Sequence, residues 1–66
     1  VLEWTKIHPD ASGSHTKCKR FTTCVDPNGL WELWKMVPGG AWFHQLANSM
    51  PSEDEAKRRA EVDAQA

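Results

Sequence analysis

The chain is 66 residues long, with eight Lys/Arg against nine Asp/Glu and a formal net charge of −1. A chain this short buries only about 60% of the surface its unfolded form exposes. It therefore has a small core and little room for a deep cleft walled on all sides. Residues 1–50 carry five cations and four acids, and residues 51–66 carry three and five. This is a weaker basic balance than a dedicated DNA-binding domain shows. There is no run of about 18 apolar residues that would span a membrane, and no charged start leading into an apolar stretch and a cleavage site. The chain opens on Val1 rather than a methionine, which leaves room for a preceding segment.

In chain order, Leu2-Glu3-Trp4-Thr5-Lys6-Ile7 alternates apolar with polar and predicts a first strand, with Leu2, Trp4 and, after a slip, Ile7 toward a core. His8 to Thr16, HPDASGSHT, is rich in turn formers and reads as a loop. Lys19 to Val25 predicts a second strand, with Phe21 and Val25 on one face and Arg20, Thr22 and Cys24 on the other. Asp26-Pro27-Asn28-Gly29 follows and predicts a hairpin: proline presets φ, and Asn-Gly tolerates positive φ.

Leu30 to Val37 predicts the third strand. Trp31 and Leu33 point one way, and Leu30, Glu32, Trp34 and Met36 the other. Pro38-Gly39-Gly40 is a second turn, and Ala41 to Leu46 a short fourth strand with Trp42, His44 and Leu46 on one face. A helix follows over about residues 52–62. Ser52 is its N-cap, and Glu55 three residues on completes a capping box. Three acid-to-base pairs follow at i,i+4: Glu53–Lys57, Asp54–Arg58 and Glu55–Arg59. Each is worth about 0.2–0.5 kcal/mol. The acids here serve capping and solvation. Ala56 and Ala60 share the thin apolar stripe, and the residues from Asp63 onward are expected to fray.

The reading is a single α+β domain over residues 1–66: a three- to four-stranded antiparallel sheet, its strands within 2–47, with one C-terminal helix packed on one face. Phe21, Val25, Trp31, Leu33, Leu46, Ala56 and Ala60 are the expected core, and Trp4, Trp31 and Trp42 can fill the space under the helix.

The chemistry-bearing residues are sparse. Cys18 and Cys24, on one extended strand, would stand roughly 20 Å apart, whereas a disulfide needs Cα atoms within about 7 Å. Free thiols suit a reducing cytoplasm. His8, His15, Cys18, Cys24 and His44 include zinc-ligand types. However, zinc knuckles place their cysteines two to four residues apart, and here a strand intervenes. No metal and no cofactor is expected. A Cys24–His44 pair would lack an orienting group and an oxyanion hole, and no Walker loop, Gly-x-Ser-x-Gly or His-Glu-x-x-His is present. No catalytic residue is assigned, and no small-molecule substrate is expected.

Two candidate surfaces remain. With the helix on one face, Leu30, Trp34 and Met36 form an apolar patch on the other, the kind of patch that marks a protein partner or a second copy of the chain. The alternative is nucleic-acid binding, with Lys17, Lys19, Arg20 and Lys35 on phosphates. The competing role for the basic run is protection of an edge strand against aggregation.

The carrying features of a resemblance are Phe21, Asn28-Gly29, Trp31, Leu33, Leu46 and the Ser52 to Ala60 helix opening. Over the C-terminal two thirds of the chain they loosely resemble small bacteriophage, prophage or plasmid-encoded proteins with a β-sheet and a C-terminal helix. The resemblance implies an architecture and a mobile-element setting, with no functional residue carried over.

Overall fold

The computed structural model describes residues 2–9, 12–17, 20–37, 39 and 42–65. Five strands, β1 (Trp4–Lys6), β2 (Ser14–Thr16), β3 (Phe21–Val25), β4 (Trp31–Met36) and β5 (Phe43–Met50), precede one helix, α1 (Glu53–Gln65). The strands pair in sequence order, each antiparallel to the next. The α+β class and the C-terminal helix are as expected, but the sheet has five strands rather than three or four.

The extra strand is β2, which lies within the segment read as a loop. Its Ser-His-Thr sequence has no apolar alternation, yet Ser14 and Thr16 are buried. Their polar groups are paired instead of solvated: the Phe21 amide donates to Thr16 Oγ1 at 3.0 Å, and the Ser14 amide to Thr23 Oγ1 at 2.9 Å. Gly13 makes this close approach possible, because a Cβ at that position would stand 2.2 Å from the Thr23 carbonyl oxygen.

The hairpin between β3 and β4 follows its residues. The Gly29 amide donates to the Asp26 carbonyl at 3.0 Å, the Asp26 carboxylate accepts from the amides of Asn28 and Leu30, and Gly29 has φ 81°. Of the Pro38-Gly39-Gly40 turn, Pro38 and Gly40 lie outside the described residues; Gly39 has φ 99°. The Val37 amide donates to the Trp42 carbonyl at 2.9 Å across this connection. β5 then runs past residue 47 to Met50. It carries two register shifts against β4, with Ser49 at φ 55°, and these bulges hide its apolar period.

α1 packs on the face that bears Phe21, Thr23 and Leu33. With Ala56 and Ala60, Phe21 and Leu33 form the fully buried core. Leu2, Trp4, Trp31, Leu46, Ala47 and Met50 pack against it. Three core expectations need correction. Val25, the last residue of β3, is 38% exposed at the strand end, and Trp42, 63% exposed, precedes β5 and does not enter the core. Ile7 follows β1 and is 45% exposed.

The helix starts as read, with the Glu55 amide donating to Ser52 Oγ at 3.3 Å. It continues through Gln65, so the residues expected to fray from Asp63 to Gln65 are helical. Docking explains this. Asp63 is paired with Lys35 of β4 at 2.8 Å, and Glu61 accepts from the Leu2 amide at 2.6 Å. Of the three i,i+4 pairs, Glu53–Lys57 forms, at 3.7 Å, whereas Arg58 turns to Glu55 at 2.8 Å.

Glu53 does more than cap and solvate. Its Oε2 accepts from Ser14 Oγ at 2.9 Å and from Thr23 Oγ1 at 3.1 Å, which ties the first turn of α1 to β2 and β3. Among the described residues, no buried side-chain nitrogen or oxygen lacks a partner.

Candidate protein-binding face

Strand alternation settles which side chains α1 leaves uncovered. Phe21, Thr23 and Leu33 face the helix, so Thr22, Cys24, Glu32, Trp34 and Met36 face away. Register extends this face across the sheet. Thr5, His15, Thr22, Trp34 and Gln45 are successive Cα partners on all five strands, and Phe43 is opposite Met36.

On this face lies a shallow groove of about 360 Å³, lined by Ile7, His15, Thr22, Trp34 and Phe43. Trp34 is half-buried, and Phe43 is 39% exposed. Ile7, Trp34 and Phe43 make its lining mainly apolar, with His15 and Thr22 as the polar members.

Glu32 organises the region beside Trp34. Its Oε1 accepts from Trp34 Nε1 at 3.0 Å, from Gln45 Nε2 at 3.0 Å and from the Cys24 thiol at 3.8 Å. The first of these bonds fixes the indole in the plane it presents to the groove. Burial, and then the negative charge of Glu32, push the Cys24 thiol above its ordinary value of 9.0. Cys24 is therefore a protonated thiol at neutral pH, the opposite of an activated nucleophile. It is free of any disulfide. Cys18, its partner in the sequence reading of the thiols, lies outside the described residues.

The structure brings Trp34 and Met36 to one face. Met36 adjoins a second depression, with Val37, Trp42, His44 and Lys35. Leu30 stands apart, half-buried in the turn before β4. Nothing in the local sequence marks Ile7, His15, Thr22 and Phe43 as parts of one binding face. Only register brings them together, and register depends on β2, which the sequence did not announce.

The cations are dispersed. Lys17 and Arg20 are exposed and border one depression with Leu2, Glu3 and Thr16. Arg20 also lies 5.4 Å from the Phe21 ring centroid. Lys35 is on the helix side, in its ion pair with Asp63. Lys19 lies outside the described residues. Among the described residues, no three His, Cys, Asp or Glu side chains converge as metal ligands, and no helix is long and apolar enough to cross a membrane.

No family model matches the chain, and neither a curated protein nor a solved structure matches it.

Proposed function

We propose that this chain is a small non-enzymatic interaction module that binds another protein, or a second copy of itself, through the sheet face opposite α1, centred on Trp34. The observation that carries the reading is the apolar groove bounded by Ile7, Trp34 and Phe43 on a face the helix leaves uncovered. Contiguous exposed apolar surface of this kind is characteristic of partner sites, and tryptophan is enriched among the residues that dominate binding energy. The protonated thiol of Cys24 supports a non-catalytic role. A cytoplasmic setting, on a phage or other mobile element, belongs to the same reading.

The test compares wild type with Trp34→Ala as bait, alongside sedimentation equilibrium of both. The reading expects a partner, or self-association, that wild type retains and the folded variant loses. Equal retention by both proteins contradicts it.

A second reading, nucleic-acid binding through Lys17, Lys19, Arg20 and Lys35, is favoured by the exposure of Lys17 and Arg20 at one end of the sheet. It requires duplex binding that weakens steeply with salt and is lost on charge reversal of Lys17 and Arg20.

A further inference from the structure

From the charge pattern of the open face we infer that the partner segment carries a cationic side chain, arginine before lysine, next to the apolar residue that fills the groove. This inference rests on the protein-binding reading and adds the chemistry of the occupant.

The strands contain three charged side chains, Lys6, Glu32 and Lys35. Lys35 is on the helix side, paired with Asp63. Lys6 is opposite Ser14, whose hydroxyl reaches the helix residue Glu53, so its register also assigns it to the helix side. Glu32 is thus the one charged strand residue on the open face among the described residues. Among the described residues its three partners, Trp34, Gln45 and Cys24, are all neutral. They satisfy hydrogen bonds and fix the carboxylate, but they leave its charge uncompensated.

In water this arrangement costs little. Under a docked partner the balance changes, because a carboxylate taken out of water without a counter-charge loses its solvation uncompensated. A purely apolar partner would meet that penalty in full, whereas a cation from the partner offsets it. Arginine fits best, since its planar guanidinium can lie over the indole of Trp34 while donating to the adjacent carboxylate. The bond from Trp34 Nε1 to Glu32 holds the ring and the anion as one preformed unit.

Selection of short random peptides on the immobilised chain tests this, followed by titration of the enriched peptides into wild type, Trp34→Ala and Glu32→Gln. Thermal melts verify that each variant folds. Enriched peptides should pair an aromatic or aliphatic residue with a nearby Arg or Lys. They should lose binding to Trp34→Ala and weaken at least about tenfold against Glu32→Gln, the scale of a partly desolvated ion pair. Peptides that need Trp34 but carry no cation, or that bind Glu32→Gln as well as wild type, overturn the inference and leave the open-face reading standing. Peptides that bind Trp34→Ala undiminished, or no enrichment at all, overturn the reading beneath it.

Discussion

Thr23→Val removes one hydroxyl from the centre of the molecule while keeping the side-chain shape. Thr23 is fully buried on β3. Its Oγ1 accepts from the Ser14 amide at 2.9 Å and donates its proton toward Glu53 Oε2 at 3.1 Å, with the Ser14 carbonyl at 3.3 Å. Valine leaves the buried Ser14 amide without its acceptor, which costs about 1–3 kcal/mol. It also takes one donor from the Glu53 carboxylate, which keeps Ser14 Oγ and Lys57. The added methyl group returns about 0.8 kcal/mol. With about 1 kcal/mol for that lost donor, the net expectation is a loss of about 1–3 kcal/mol. In a domain of this size that is a fall in Tm of roughly 5–20 °C. Urea denaturation followed by far-ultraviolet circular dichroism measures it as a lower midpoint at unchanged slope. Thr23→Ser, which keeps the hydroxyl, should lose less. Coupling to Glu53→Gln in a double-mutant cycle should exceed about 0.5 kcal/mol. A Thr23→Val protein within about 0.5 kcal/mol of wild type would refute the view that this polar cluster anchors the helix and β2 to the sheet.

Gly13→Ala should destabilise by about 1–3 kcal/mol or more, since the new methyl group meets backbone that cannot give without parting β2 from β3; an unchanged melting temperature would contradict the close approach. Because the folded thiol of Cys24 titrates above 9.0, the unfolded chain releases that proton first as pH rises. The contribution to stability is therefore whole below 9.0 and declines above it. In a Cys18→Ser background, iodoacetamide should modify Cys24 more slowly near its ordinary pKa than an unhindered thiol, and Glu32→Gln should speed the reaction. Equal rates would show that neither burial nor Glu32 restrains it.

What the sequence made legible were the features written in local chemistry. Asp26 to Gly29 specifies its hairpin through proline, an Asx side chain and a glycine with positive φ. Ser52 marks the helix start, and alternation in Trp31 to Met36 separates the two faces of β4 correctly. What stayed hidden depends on distant partners. β2 is a strand because Phe21, Thr23 and Glu53 satisfy its polar groups, and no apolar period signals that. The bulges of β5 break its period, which hides its length, and Trp42, an apolar residue in the expected strand, stays outside the core. The same limit applies to the binding face. Trp34 and Met36 were visible on one strand, but the groove walls come from Ile7 and Phe43, which only a five-strand register brings together.

The most direct measurement is the set of indole N–H signals in a ¹⁵N–¹H correlation spectrum, four tryptophans giving four assignable signals, recorded while an enriched peptide is titrated in. Docking on the open face predicts that the Trp34 indole and the Phe43, Gln45 and Thr22 amides shift together, while the Trp4 and Trp31 indoles, on the helix side, stay in place. Saturable shifts centred on Trp4, Lys17 and Arg20, with Trp34 unmoved, would contradict it.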